Sequence, residues 1–535
     1  MPKTILVIDD DLTVLKSLER LFKKEGYEIA CVSSGKAALE LIENRNFDLV
    51  VADIRMPDLD GIETVRRVKE IRKKQNKPDI AVVFITGYSD MVAIDKAKQY
   101  GEVVLKPFDL EEFLNRVKQQ STKRRVVITG LGVVAPNGIG KDEFWEANVK
   151  GKSGVNRIED FDTTSFNSKI AAQIKNFDPL KYMSVPVVSK TDRFSQLGIV
   201  AAKLAIEDSK LDLEKEDKSR IGVSVGTGLG GMSYHEVVVL EMYENKFTQV
   251  DPLSVPKVTS NAVSGNISII FNLIGPNMTL STACSSGANA IGYACDLIRL
   301  GRADVMVSGG AEAPVTPFTL RTFDALKVLS RRNDSPCEAS RPFDKERDGF
   351  VMGEGAGVVI LEELNHALQR KAHIYAEMIG YGANSGAYHM VMPKPGGQDI
   401  TEVMIQALKD AGVKPKDVNY INAHGTSTQA NDKAETQAIK QVFGEYAHKI
   451  PISSTKSMIG HTIGAAGAIE AIICALSIEN NLIPPTINYR VPDPDCDLDY
   501  VPNEARKAKV NIALSNSFGF GSNNACLVMR RYKSE

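Results

Sequence analysis

The sequence predicts an α/β protein of two modules: a doubly wound parallel sheet, then a larger α/β unit that repeats itself once. Three observations carry this. Over the first ~120 residues, apolar strand-like runs alternate with amphipathic helical stretches, the pattern of a parallel sheet covered by helices on both faces. Further on, strand-then-glycine at Val126 to Gly132 is echoed by Ala376 to Gly382, and Ile221 to Gly226 by Val418 to Gly425. That repeat puts a seam near Tyr375. The length of 535 residues accommodates several domains.

In the first module, Val7-Ile8-Asp9-Asp10-Asp11 places acids at the end of an apolar strand, and Val50-Val51-Ala52-Asp53 does so again. Val82 to Thr86 and Val103 to Lys106-Pro107 supply two more strands, and helical spacing covers Leu12 to Lys24 and Ile62 to Arg72. In such sheets the active crevice lies at the carboxyl ends of the strands, where all these acids fall. Clustered carboxylates repel one another unless a hard cation such as Mg²⁺ binds between them; a lone acidic pair would be a solvated turn.

This set, with Asp53-Ile54-Arg55-Met56-Pro57 and Lys106-Pro107, resembles the flavodoxin-like response-regulator receiver domain over residues 1–120. The resemblance implies Asp53 as phosphate acceptor and Asp9, Asp10 and Asp53, with the Arg55 carbonyl, as the Mg²⁺ site. It further implies Thr86 and Lys106 as contacts of the phosphoryl group, and a sensor histidine kinase as partner. One position departs: Val103 stands where receivers usually carry an aromatic residue. A short basic linker, 121–124, follows without a Pro/Gly-rich spacer, so the receiver is expected to stay near what it is joined to.

In the second module the most informative stretch is Thr282-Ala283-Cys284-Ser285-Ser286-Gly287. A cysteine between a strand-like run and a Gly/Ala-rich helix-like run sits where unpaired backbone N–H groups and the helix dipole favour thiolate. Alone, such a cysteine is more often a buried structural one. Two histidine turns change the balance: Asn422-Ala423-His424-Gly425-Thr426-Ser427-Thr428 and Ser454-Thr455-Lys456 to Gly460-His461, each at the end of an apolar run. One Cys and two His on separate strand-end loops make a thiol-acyl-transfer site.

With Val126 to Val134, Arg341-Pro342-Phe343-Asp344 to Phe350, and Asn516-Ser517-Phe518-Gly519-Phe520-Gly521, these segments resemble an elongating, type II β-ketoacyl-acyl-carrier-protein synthase over about residues 125–531. That family belongs to the thiolase-fold condensing enzymes. The implied architecture is a duplicated αβαβα module with halves at 125–375 and 376–535. The implied site is Cys284 as nucleophile, His424 and His461 as N–H donors to the malonyl enolate, and the Cys284 and Phe520 N–H groups as the acyl oxyanion hole. Phe520 also resembles a gating phenylalanine. Lys456 orders the site, with Asp432 and Glu435 as candidate partners. Thr426 and Thr428 bind the phosphopantetheine arm, Leu229 limits the acyl chain and His389 lies on the substrate channel. Gly521-Ser522-Asn523-Asn524 departs from the usual Gly-Gly-Thr-Asn, adding bulk where the family has glycine. An acyl-carrier protein brings the phosphopantetheine, so condensation needs no cofactor of its own. The expected assembly is a homodimer with Asn261 to Thr282 near the dyad.

Composition is that of globular protein, with 43% hydrophobic and 25% charged residues. Lys+Arg 65 against Asp+Glu 67 leaves a net charge of -2, so bulk electrostatics recruits neither nucleic acid nor anionic membrane. The seven cysteines show neither paired nor CxxC spacing. The first residues carry no signal-peptide core and no apolar run approaches the ~18 residues of a span, which makes the cytoplasm the expected compartment. Gly226-Thr227-Gly228-Leu229-Gly230-Gly231 fits GxGxxG, but no clean βαβ unit with a ribose-binding acid follows. His235, His366, His373, His389 and His448 show no metal-ligand spacing. The expected activity is decarboxylative condensation with malonyl-acyl-carrier protein under aspartyl-phosphate control. The alternatives are a polyketide-like ketosynthase or a docking scaffold with little condensing activity. A thiolase would need a second cysteine in the Phe518 to Asn524 loop, and a starter synthase an Asn at His461.

Overall fold

The structure is a computed structural model that describes residues 3–75, 77, 80–87, 91–121, 124–246 and 248–533, with backbone only at 115 and 118–121. It divides into two compact units, Met1–Lys123 and Arg124–Glu535. Of the expected linker, Thr122 and Lys123 lie outside the described residues; Ser121 closes a helix.

In the first unit, five strands form one sheet: β1 Thr4–Ile8, β2 Glu28–Val32, β3 Leu49–Asp53, β4 Ala81–Thr86 and β5 Glu102–Leu105, in the order β2-β1-β3-β4-β5. Every pairing is parallel. The inner strands are continuous apolar runs, buried on both faces, as helix-covered parallel strands must be. β2 was not legible because it is an edge strand with half-exposed residues throughout. Helix α1, Leu12–Lys24, follows its apolar stripe; Asp11 caps it by accepting from Thr13 N, and Lys23 and Lys24 face the negative end of its dipole. The second helix read from sequence runs further than expected, Gly61–Lys74, because Asp60 caps it by accepting from Glu63 N. Gly61 must be glycine: a Cβ there would lie 1.9 Å from the Asp53 carbonyl oxygen.

The second unit is built on one long sheet. Its first five strands are β6 Val126–Ala135, β7 Ile221–Gly226, β8 Asn277–Leu280, β9 Val305–Glu312 and β10 Gly355–Glu363; its second five are β11 Ala376–Ser385, β12 Tyr420–Asn422, β13 Ile452–Ser453, β14 Ile512–Gly519 and β15 Asn523–Arg530. The order is β8-β7-β9-β10-β6-β11-β15-β14-β12-β13, with Gly138–Ile139 paired to β6 off that path. Numbered within each half, that is 3-2-4-5-1 running into 1-5-4-2-3. The sequence repeat is therefore a duplication with mirrored strand order, joined by antiparallel pairing of Ala376–Met378 with Val126–Ile128. The partners in each half also alternate alike: strands 2, 3 and 4 pair parallel, strands 4, 5 and 1 antiparallel.

Two helices form the central layer, α2 Ser286–Arg299 and α3 Ala466–Asn480, packed with residues of both halves in one apolar core. Ile463–Asn480 is 18 residues long with mean hydropathy 1.4, so a run of spanning length does exist, contrary to expectation; 89% of it is buried inside the protein. Glycine makes this layer close. At Gly287 a Cβ would meet the Gly464 carbonyl at 2.8 Å.

Candidate active site

The strand ends of both halves converge on one place. Cys284 sits in a 3₁₀ turn, Ala283–Ser285, between β8 and α2. His424 follows β12, His461 lies between β13 and α3, and Phe520 follows β14. All four line one cavity of about 140 Å³, together with Thr426, Thr428, His389 and Phe518. Seven lining residues are ones the sequence singled out as site residues; others, among them Phe323, Val328, Val391, Met392, Asp399 and Ile400, are not. Leu229 is not among the lining residues; its backbone N–H is held by Glu312 instead. Phe520 packs on Phe323 with ring centroids 6.0 Å apart.

Cys284, His424 and His461 are buried, at 7%, 3% and 3% exposure. The imidazole centroids lie 5.3 Å apart at 86°. Burial, then the Lys456 charge, holds both histidines well below their ordinary pKa, so both are neutral and each keeps one N–H to donate. The thiolate expected at Cys284 is corrected by its surroundings. Burial pushes the thiol up to about 12, against the pull of the Lys456 charge and the Phe520 N–H. The helix end offsets desolvation only in part, and the resting group is the thiol.

Lys456 is 1% exposed and its ammonium pairs with Glu470, on α3. Neither Asp432 nor Glu435 is that partner, and neither is a solvated surface charge. Both are fully buried. Asp432 accepts from Phe343 N at 2.9 Å and faces Arg347 at 3.5 Å. Glu435 accepts from His424 N at 2.9 Å, Gly425 N at 2.8 Å and Asn516 Nδ2 at 3.0 Å, and so fixes the first histidine turn. Glu312, at the end of β9, went unread in the sequence. It accepts from Thr227 Oγ1, Gly228 N, Leu229 N and Gly464 N, tying the turn after β7 to the turn that carries His461. Thr426 and Thr428 share a hydrogen bond of 3.0 Å. His389 Nδ1 accepts from Val391 N and Met392 N, both at 3.0 Å.

Close approach at the Phe520 turn depends on Gly519, where a Cβ would stand 2.7 Å from the Thr282 carbonyl and 3.1 Å from Cys284 N. Ser522 holds φ +59°, a conformation glycine adopts freely and serine does not. Its hydroxyl donates to the His389 carbonyl at 3.2 Å and its carbonyl accepts from Gly386 N at 2.8 Å, which secures the bulkier residue there.

In the first unit, Asp53 Oδ1 and Asp9 Oδ2 accept from the Lys106 ammonium at 2.8 and 2.9 Å. Burial raises the Asp53 pKa against the pull of Lys106; the same two bonds raise Lys106 against its own desolvation. Thr86 is buried at the end of β4. Of the expected Asp9, Asp10 and Asp53 set, Lys106 bridges Asp9 and Asp53 and Asp10 is exposed; among the described residues no group of three His, Cys, Asp or Glu is spaced to hold a metal. The pair Asp9 and Asp53 still offers hard carboxylate oxygens of the kind Mg²⁺ takes.

Residues 123–367 match the family described as Beta-ketoacyl synthase, N-terminal domain, residues 375–490 its C-terminal domain, and residues 5–118 the response regulator receiver domain. The 3-oxoacyl-[acyl-carrier-protein] synthase 2 of Coxiella burnetii is 48% identical over 409 residues, 76% of this chain and 99% of that protein. Its namesake in Vibrio harveyi is 46% identical over 411 residues, 77% of this chain and 99% of the relative. Among solved structures, a type II polyketide acyl-carrier protein in complex with its ketosynthase matches at 39% identity and TM-score 0.72, covering 77% of this chain and 100% of that one. The ishigamide ketosynthase/chain length factor matches at 37% and 0.73, with the same coverage. The chain belongs to the β-ketoacyl synthase family, and it carries a response-regulator receiver domain ahead of the synthase.

Proposed function

We propose that the protein catalyses decarboxylative Claisen condensation: an acyl group held on Cys284 joins malonyl-acyl-carrier protein to give 3-oxoacyl-acyl-carrier protein and carbon dioxide. The observation that carries this reading is the convergence of one cysteine and two neutral imidazoles on a single buried cavity. Cys284 Sγ attacks the thioester of an acyl-carrier protein; its proton leaves with the departing carrier thiol, and the acyl chain stays on sulfur. Splitting one hard bond formation into two steps is what a covalent nucleophile contributes. The Cys284 and Phe520 N–H groups stabilise the oxyanion of that transfer. Malonyl-carrier protein then loses carbon dioxide, and its enolate oxygen takes N–H bonds from His424 and His461. Its carbon attacks the acyl carbonyl and the Cys284 thiolate departs, regaining a proton. Neutral donors aimed at a charge that develops only in the reaction accelerate it, beyond mere binding. Burial keeps both imidazoles neutral, and the charge of Lys456, paired with Glu470, adds to it. Thr426, Thr428 and His389 receive the phosphopantetheine arm, Phe520 gates the cavity, and Leu229 acts on chain length from outside it.

The domains we assign are the receiver 1–120, linker 121–124, and synthase halves 125–375 and 376–535. In the receiver, Asp53 accepts a phosphoryl group from a histidine kinase, with Thr86 and Lys106 as its contacts. Asp9 and Asp53, joined by Asp10 if it turns inward, would hold Mg²⁺, which supplies positive charge to the incoming phosphoryl oxygens. The synthase works as a homodimer in the cytoplasm. The exposed Ile269, Ile270 and Ile274 beside the edge strand β8 support that assembly, and sedimentation as a monomer at micromolar concentration would remove it. A polyketide-like pathway is the second reading, favoured by the likeness to ketosynthases of that kind. Incubation with an acyl-carrier thioester tests the central claim. Mass spectrometry should find the acyl mass on Cys284; its absence refutes the reading.

A further inference from the structure

Tyr381 stands on β11, in the second half, yet its hydroxyl reaches the nucleophile turn of the first. It donates to Asn289 Oδ1 at 2.7 Å. Asn289, 6% exposed, passes the connection on, its Nδ2 donating to Thr282 Oγ1 at 2.8 Å and to Ser285 Oγ at 3.2 Å. Ser285 Oγ donates back to the Thr282 carbonyl at 2.8 Å, and Thr282 N donates to Ser286 Oγ at 2.9 Å. These bonds close around Ala283 and Cys284. Ala283 holds φ +51°, a left-handed conformation that a residue with a Cβ keeps only where its surroundings impose it. The far end of the chain is fixed too. The Tyr381 ring lies so close to α2 that a Cβ at Gly292 would stand 2.3 to 2.4 Å from three ring carbons, and Tyr381 N donates to Asp410 Oδ2 at 3.0 Å.

We infer that Tyr381 and Asn289 are positioning residues for Cys284, bracing the Ala283 turn through Thr282 and Ser285 so that Sγ meets the Phe520 N–H and the two imidazoles. The inference rests on Cys284 being the acyl acceptor. Its logic is local: the turn between β8 and α2 bonds mostly to itself, and a side chain from the other half anchors those bonds from outside the turn. Without the Tyr381 hydroxyl, Asn289 Oδ1 is left buried and unpaired, and the amide is free to rotate away from Thr282.

The test compares wild type with Tyr381→Phe, Thr282→Val and the double variant. Tyr381→Phe should slow single-turnover acylation of Cys284 by about three- to tenfold, the range of one neutral hydrogen bond. The KM for the acyl carrier and the rate of malonyl-carrier decarboxylation should stay as in wild type. The pH profile for alkylation of Cys284 by iodoacetamide, recorded below about pH 10, should fall by a similar factor at every pH, because the small thiolate fraction loses its alignment with the Phe520 N–H. Thr282→Val should reproduce the defect, and the double variant should be no worse than the weaker single. Wild-type acylation with an undiminished alkylation profile in Tyr381→Phe overturns the inference, as does a double variant whose losses multiply. Should Tyr381→Phe fail to fold, Thr282→Val, on the partly exposed side of the turn, decides by the same two readouts. A wild type that alkylates normally yet takes up no acyl group sinks the condensing reading alone, and the alkylation profiles still decide the positioning.

Discussion

Replacing Glu312 by glutamine isolates what one buried carboxylate does between two loops. Oε1 accepts from Thr227 Oγ1 at 2.9 Å and Leu229 N at 3.1 Å; Oε2 accepts from Gly228 N and, at 3.0 Å, Gly464 N. A carboxamide of the same shape keeps one acceptor for Gly228 N and Gly464 N; its NH₂ can donate to the Thr227 hydroxyl, which turns to accept, but faces the Leu229 N–H, a donor. Losing that hydrogen bond to a charged acceptor costs about 1.5–3 kcal/mol. That is a large share of the ~5–15 kcal/mol that holds a folded domain. Urea unfolding followed by tryptophan emission reads it out, because the one tryptophan, Trp145, packs against the core of the synthase unit and reports on that unit. Burial raises the Glu312 pKa against these four donors. A glutamine variant within about 1 kcal/mol of wild type refutes the reasoning: a neutral carboxyl and an amide are near-isosteres, so that outcome means the group is already protonated when folded, and four donors do not converge on a charge.

His424→Ala and His461→Ala should each cut malonyl-carrier decarboxylation by roughly 10²–10³ while Cys284 still acquires some acyl mass; Cys284→Ala should abolish condensation. Asp53→Asn should end Mg²⁺-dependent uptake of phosphate from acetyl phosphate, read as intact mass. Wild-type condensing turnover should differ before and after phosphorylation; equal turnover and oligomeric state leave the receiver a docking role only. His366 bonds Glu362 at 2.8 Å and Glu216 at 2.9 Å, which raises its pKa to about 9 from the ordinary 6.5. The stabilisation it gives is complete below about pH 6.5 and is lost as pH rises through about 9, so the urea midpoint should fall over that window and His366→Gln should flatten the fall.

What the sequence made legible were groups announced by their neighbours. Cys284, His424 and His461 each follow an apolar run and sit beside glycine or small residues, and a strand end with a turn leaves that signature. Asp53 and Lys106 close apolar strands in the same way. Glu470 carries no such sign. It stands inside the apolar helix Ala466–Asn480, where its partner, 14 residues earlier, is set only by the fold. Asp432 and Glu435 looked like charges on a polar helix because that helix is only weakly amphipathic; their one-turn spacing puts both on its buried face. Glu312 ends a strand as Asp53 does, but its donors are backbone N–H groups, which sequence composition never reveals. The strands β12 and β13, three and two residues long, were legible as short apolar runs but too short for any alternation to set their bounds.

The mirrored strand order has a consequence for how work is shared within the chain. The turn after the third strand carries Cys284 in the first half and Lys456 and His461 in the second; the turn after the fourth follows Glu312 in one and carries Phe520 in the other. A symmetric scaffold has thus been given asymmetric duties. In the condensation proposed above, neither half inherits a whole reaction: one holds the electrophile's anchor, the other the means of making the nucleophilic carbon. A chain severed between β10 and β11 would yield two inert proteins, each a complement the other lacks, and turnover would return only where Ala376–Met378 again found Val126–Ile128.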